Sequence, residues 1–148
     1  MKPERIQVHI IESDDELTQA FAIRREVFII GQAVDEKIEM DAFDANATHI
    51  LATVDGKPAG TARWRITGEG SKLERFAVLD RYRGLGVGRR LVDFVIQRID
   101  PHLPAYLNSQ VAVIPFYKKM GFVVEGPVFY EADIPHRRMT LVRQSGSE

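Results

Sequence analysis

The sequence predicts an α/β (α+β) domain in which a mixed, mostly antiparallel central sheet is flanked by helices. Three observations carry that expectation. Two apolar stretches, 48–54 and 58–67, flank Asp55-Gly56, a dipeptide that favours a tight hairpin turn. A third stretch, 72–78, is followed by a helical segment and then by a short strand at 104–109, an order that makes the two strands parallel neighbours. The helix between them carries Val87, Leu91, Val95 and Ile99 at four-residue spacing, with Val92 and Ile96 alongside. That stripe is wide enough to pack on a sheet.

Bulk properties narrow the function. With 148 residues the chain suits one domain, 1–148, with a substantial core. Hydrophobic residues make up 45% and charged residues 28%, the balance of a soluble globular chain. A formal net charge of −1 supplies no global attraction to nucleic acid or to an anionic membrane, so anion binding must come from a local cluster. The absence of cysteine excludes disulfides, thiolate zinc sites and thiol nucleophiles. The N-terminal stretch has too short an apolar run and too many acids for a signal peptide, and no run approaches a membrane span, so a cytoplasmic location is expected. His9, His49, His102 and His136 have no metal-ligand spacing, and no metal is expected.

Taken in order, residues 5–11 are rich in Ile and Val and read as a first strand. Ser13 is placed to cap a helix, with Glu16 three residues on as in a capping box. That helix carries Leu17, Phe21, Arg24 and Phe28, with Ala20 and Val27 on the same side, and Gly31 ends or bends it. Residues 31–46 hold five acids, Asp35, Glu36, Glu39, Asp41 and Asp44. They read as a solvated loop with a short helical turn, and also as a lid that would attract a cationic substrate. Residues 68–70 turn the second meander strand into the strand at 72–78. Asp100-Pro101 ends the long helix. Pro115 opens a short helix that Gly121 closes. Strands are expected at 122–124, 128–132 and 138–142, the last two separated by Asp133-Ile134-Pro135, and the polar tail 144–148 is expected to fray.

The chemistry concentrates at the turn after residue 78. Gly84, Gly86 and Gly88 permit close backbone approach, and the helix they open leaves its first amides unpaired at the positive end of its dipole. Arg83, Arg89 and Arg90 add cationic donors. This is a phosphate cradle. It is not a Walker loop, because Gly88 is followed by Arg89-Arg90 rather than by Lys-Ser/Thr. Nor is it the dinucleotide fingerprint, whose third glycine would fall on Arg89 or Leu91.

The pattern that fits is Arg/Gln-x-x-Gly-x-Gly/Ala, met by Arg83, Gly86 and Gly88 between an apolar strand and an amphipathic helix. Downstream stand Asn108 and then Phe116-Tyr117-Lys118-Lys119-Met120-Gly121-Phe122. Upstream stand Ile23-Arg24-Arg25-Glu26-Val27-Phe28 and residues 41–52. Together, and in this order, they resemble the GNAT superfamily of acyl-CoA-dependent N-acetyltransferases, and in particular its small stand-alone bacterial members. The chain departs at Ile30-Gly31-Gln32, where that subgroup often has Glu before the Gln. That loop would border the acceptor pocket, so the departure bears on substrate identity rather than on cofactor binding.

The resemblance implies a splayed parallel strand pair forming a V-shaped cleft for acetyl-CoA. Backbone groups at Phe76, Ala77 and Val78 would meet the pantetheine arm. The pyrophosphate would lie on Arg83, Gly84, Gly86, Val87, Gly88 and Arg89, and Asn108 would touch the arm or cap the following helix. A backbone N–H near Val78 would polarise the thioester carbonyl. Tyr117, also beside the cofactor, would protonate the leaving thiolate, or would pack in the core with its hydroxyl at the rim. Glu74, two residues before Phe76 and of the same strand parity, would act on the acceptor amine as base or positioning carboxylate, or would simply pair with Arg63, Arg65 or Arg75. Arg24, Glu26 and Phe28 would lie on the substrate side. Trp64 and Phe43 are further pocket candidates, Trp64 with a competing core role; His49 reads as structural, and His136, after Asp133-Ile134-Pro135, could reach the acceptor site. The implied reaction is acetyl transfer to an amine of a small molecule or peptide by direct attack in a ternary complex, with no nucleic acid or membrane partner and with a possible homodimer. The rival readings are an acyl-CoA-sensing module without turnover and a nucleotide-binding regulatory domain.

Overall fold

A computed structural model describes residues 5–143, the side chains at 37 and 38 excepted. The segment 144–148 lies outside the described residues. Seven strands form one sheet: β1 (Ile6–Ile10), β2 (Thr48–Val54), β3 (Lys57–Thr67), β4 (Gly70–Val78), β5 (Ala105–Gln110), β6 (Phe122–Glu131) and β7 (Ile134–Leu141). Their spatial order is β1-β2-β3-β4-β5-β7-β6, antiparallel throughout except for the β4–β5 pair. The helices are α1 (Asp14–Arg24), the four-residue α2 (Glu36–Glu39), α3 (Val87–Arg98) and α4 (Ile114–Lys119). Among the described residues no helix is long and apolar enough to cross a membrane.

Local chemistry explains the connections. Asp55 and Gly56 both take positive φ, 51° and 82°, and turn β2 into β3 with two residues. At the far end the turn is Ala132-Asp133, φ 51° and 62°. Ile134 and Pro135 already belong to β7, so the separator expected at Asp133-Ile134-Pro135 is shorter, and the two expected strands 122–124 and 128–132 are one irregular strand. Because β7 inserts between β5 and β6, both of its edges are paired within the chain.

The two sheet faces have separate cores. On one, Val87, Leu91, Val92 and Val95 of α3 pack with Ile50, Ala62, Trp64 and Leu73, and the cluster extends under α4 through Leu107, Tyr117 and Met139. Trp64 is therefore a core residue. On the other face, Ile23 and Val27 pack on Leu51, Ala77 and Leu79. Ser13 caps α1 by accepting from Glu16 N at 3.2 Å. The Glu16 carboxylate does not return to the cap but pairs with His9 Nε2 at 2.6 Å, so only half of the expected capping box forms. After Arg24 the helix widens into a π-turn, Arg25–Ile30, that ends at Gly31.

Candidate active site

β4 and β5 pair only at Ser71↔Ala105 and Lys72↔Tyr106. Beyond that the strands part, and the gap is a cavity of about 610 Å³, within the range of small-ligand sites. Its lining comes from both faces of the sheet: Leu73, Phe76, Phe116 and Tyr117 from the α3–α4 side, and Phe28, Val34 and Glu39 from the α1–α2 side. Leu79 N donates to Ala59 O at 2.9 Å. Strand alternation therefore turns the Val78 N–H away from β3 and toward the gap.

The glycine turn lies at one end of this gap. Gly84 and Gly86 adopt φ of 82° and 91°, where L-residues are strained, and a Cβ on either would meet nothing within 4 Å. No side chain caps α3 at Gly86, which leaves its first-turn amides facing outward beside Gly84, Val87, Gly88 and Arg89. Arg83 donates from Nε to Val78 O at 3.2 Å and keeps Nη1 3.3 Å from Asp80. Arg89 is exposed, with Asp93 4.0 Å away. Arg90 does not join them: its Nη2 donates to Ile6 O on β1 at 3.1 Å.

A β-bulge resets the strand that carries the other candidates. Arg63 stands opposite Glu74 and Thr61 opposite Ala77, so Arg75 and Phe76 together face the single residue Ala62, and Arg75 takes φ 60°. The shared parity expected for Glu74, Phe76 and Val78 is thereby broken. Phe76 and Val78 join Leu73 on the α3 face, while Glu74 shares the α1 face with Ala77.

On that face Glu74 meets three cations. Oε1 accepts from Arg65 Nε at 2.7 Å and from Arg63 Nε at 3.2 Å, and Lys72 Nζ lies 3.3 Å from Oε2. Burial raises its carboxyl, but the Arg65 hydrogen bond and the charges of Arg63, Lys72 and Arg65 outweigh it, and the net displacement is downward. A carboxylate so stabilised is a poor proton acceptor. Of the roles open to Glu74, the geometry favours ion pairing and positioning over that of a base.

The neighbouring acids correct a second expectation. Glu39 is buried and Asp41 and Asp44 are half-buried, and all three turn inward onto arginines. Arg24, 1% exposed, donates to Glu39 Oε1 at 2.5 Å and to Asp44 Oδ1 at 2.7 Å. Arg63, 0% exposed, donates to Asp41 Oδ1 at 2.9 Å and to Asp44 Oδ1 at 2.5 Å. Arg75 lies 2.8 Å from Glu39 and 3.1 Å from Asp41. Arginine charge matches these acids, which removes the basis for an acidic lid; Asp35 and Glu36 alone of the five are exposed. Arg24 thus lies under the site rather than in it. Glu26 points outward to Arg81 at 3.3 Å and does not line the cavity, whereas Phe28 does. Phe43 lies beneath the Arg65 guanidinium, 3.8 Å from its ring centre.

Tyr117 is held edge-on by Phe76, Phe116 and Phe122, with ring centres 6.1, 5.0 and 5.9 Å away. Burial pushes its phenol up, so the hydroxyl keeps its proton. Asn108 Nδ2 donates to Glu131 Oε1 at 3.2 Å rather than capping a helix. Among the polar residues that line the cavity, Gln32, Gln110 and Glu131 were not singled out from the sequence, whereas His136, weighed there as able to reach the acceptor site, does line it. Gln32 and Gln110 exchange amide hydrogen bonds of 3.3 and 3.0 Å. The one signal for Gln110 was its shared parity with Asn108; the partners lie too far apart in sequence to suggest each other.

This arrangement recurs in known proteins. Residues 7–143 match the family model described as the acetyltransferase (GNAT) domain. The chain is 38% identical over 135 residues to the uncharacterized protein YyaT of Bacillus subtilis (strain 168), covering 88% of this chain and 91% of that one. It is 35% identical over 133 residues to the same organism's uncharacterized N-acetyltransferase YjcF, covering 88% and 95%. An acyl-CoA N-acyltransferase from Pseudomonas aeruginosa superposes with a TM-score of 0.81 at 26% identity, over 94% of this chain and 99% of that one. With a splayed cleft, a glycine-opened helix and a family match that spans most of its length, this chain belongs to the GNAT acetyltransferase family.

Proposed function

We propose that the protein transfers the acetyl group of acetyl-CoA to a primary amine, on a small molecule or an exposed protein amine, by direct attack in a ternary complex. The observation that carries this reading is the gap between β4 and β5, open to both faces of the sheet with the glycine turn at one end. Donor and acceptor can approach from opposite sides. The residues present fit the donor. Open amides at Gly84–Arg89 with Arg83 suit a pyrophosphate. The unpaired edge of β4 at Phe76, Ala77 and Val78 suits the pantetheine amides, and Asn108 lies across the gap.

When bound, acetyl-CoA supplies an activated acyl carbon. The Val78 N–H, turned into the gap, stabilises the oxyanion that develops there. Tyr117, protonated at neutral pH and without a hydrogen-bond partner among the described residues, gives its proton to the leaving sulfur. Glu74 pairs with Arg65 and holds Lys72 in place along the cleft wall.

Thermal unfolding with acetyl-CoA, CoA, ATP and NAD in parallel tests the donor. A ligand at 100 times its Kd stabilises by about 2.7 kcal/mol, which is several degrees at this chain length. A rise with acetyl-CoA and CoA alone supports the reading, and acetylation of a panel of amines then completes the test. A rise with ATP or NAD alone overturns it, and acetyl-CoA binding without turnover on any amine leaves a sensing module instead.

A further inference from the structure

The carboxylates of the acceptor side are committed elsewhere. Glu74 is shared among Arg63, Arg65 and Lys72, and Glu39 between Arg24 and Arg75. Attack on a thioester still requires a group that takes a proton from the amine.

His136 is placed differently. It stands on β7 opposite Gln110 of β5 and Phe129 of β6, and it lines the cleft. Its ring stacks on Phe129, with centres 6.0 Å apart and planes at 25°. Nδ1 lies 2.7 Å from the Ile134 carbonyl oxygen. A carbonyl can only accept, so Nδ1 carries the proton and the neutral ring keeps its lone pair on Nε2. Among the described residues Nε2 has no hydrogen-bond partner, and the only fully buried side-chain polar atom without one is Ser71 Oγ, so Nε2 is not sealed in the interior, and the residue lines the cleft.

We infer that His136 is the general base for the acceptor amine, with Nε2 as the accepting atom. The inference rests on the acyl-transfer reading above. The charged groups that line the same cleft are Glu131 of β6, held by Asn108; Glu39 of α2 with its arginines; Lys72, Glu74 and Arg75 of β4; and Arg83 and Arg89 at the glycine turn. Arg138, two residues along β7, is held by Glu69 and Glu125. On this face β5 carries the neutral Asn108 and Gln110 and, farther along, Tyr106, whose hydroxyl is bonded to Thr67 Oγ1 at 2.7 Å.

An ammonium acceptor first loses a proton to solvent. The neutral amine's lone pair then forms the C–N bond, and Nε2 takes the proton that the product amide must lose. The C–S bond breaks with its electron pair on sulfur, which receives the Tyr117 proton. Imidazolium and tyrosinate exchange one proton through solvent, and amine plus thioester have become amide plus thiol.

The test uses the intact protein, acetyl-CoA and an amine from the panel. His136→Gln is expected to lower kcat by about 100-fold or more, to remove the acid limb of the kcat–pH profile, and to leave the acetyl-CoA Kd within about twofold. Nitrogen-15 NMR of histidine-labelled wild-type protein is expected to show the Nδ1–H tautomer at this residue. If His136→Gln misfolds by thermal unfolding, His136→Asn and the tautomer measurement decide. A variant that keeps both its rate within about threefold and its acid limb, or a wild-type Nε2–H tautomer, overturns the inference. Wild-type protein that binds acetyl-CoA but acetylates nothing overturns the acyl-transfer reading itself, and this inference with it.

Discussion

Arg63 on β3 and Glu74 on β4 stand opposite each other across the ladder, Nη2 3.1 Å from Oε1, with the arginine fully buried. The same guanidinium reaches Asp41 and Asp44, so one side chain joins the sheet to the 41–46 turn. Burial works against its charge, but Asp41, Glu74 and Asp44 outweigh burial and hold Arg63 protonated. Arg63→Met is therefore expected to cost about 3–5 kcal/mol, because it strands several carboxylates with part of their compensation gone. Urea unfolding measures it, and a loss below about 1 kcal/mol would mean that the network behaves as a surface cluster.

The same network predicts a pH dependence. In Asp41 and Asp44 burial raises the carboxyl, but hydrogen bonds and charge from Arg63, Arg24 and Arg75 outweigh it and leave both below the ordinary 3.8. Folding thus releases protons near that pH. Their stabilisation is complete above the ordinary value and is lost as pH falls through the lower folded values. Glu39 has the opposite sign: burial outweighs Arg24 and Arg75 and raises it above 4.5, so its share declines as pH rises through that raised value. Stability measured from pH 7 down to pH 2 is expected to fall most steeply below pH about 4, and Asp44→Asn should flatten that fall.

Tyr117 separates catalysis from packing. Its ring is locked by three aromatic neighbours, while its hydroxyl has no partner among the described residues. Tyr117→Phe is expected to keep the fold within about 1 kcal/mol and to leave acetyl-CoA binding unchanged, while kcat falls by about 100-fold. Unchanged turnover would assign the residue to the core alone.

Gly86 tests the donor end. At φ 91° an alanine is strained by about 1–3 kcal/mol, and its Cβ would project into open space where the cradle needs it empty. Gly86→Ala is expected to weaken acetyl-CoA binding about tenfold, 1.4 kcal/mol, by calorimetry. Equal affinity would move the phosphates elsewhere.

Gly31 tests the acceptor loop. A Cβ there would come within 2.6 Å of the Val27 carbonyl oxygen, which the π-turn brings against it. Gly31→Glu is expected to cost about 1–3 kcal/mol and to raise the KM for the amine while sparing the Kd for acetyl-CoA. A stable variant with unchanged KM would show that this loop does not shape the acceptor pocket.

Much of the meander, α3 and the glycine turn was legible in the sequence because its physics is local. Two residues of positive φ at Asp55-Gly56 make a hairpin whatever surrounds them, the four-residue stripe on α3 selects its buried face, and Gly84, Gly86 and Gly88 open that helix. Each signal acts within one or two turns of chain. The acceptor side was not legible, because it is assembled from distant segments. No pattern around Arg75 announced the bulge that turned Glu74 away from Phe76. The acids at 39–44 looked solvated because their partners, Arg24, Arg63 and Arg75, come from α1, β3 and β4. Gln32 and Gln110 meet only because β5 parts from β4 opposite the π-turn. The sequence by itself determined the main helices, most of the strands and the glycine turn that opens α3. Tertiary structure alone decided which charges cancel and which side chains face the gap, since charge pairing and burial depend on distance in space rather than along the chain.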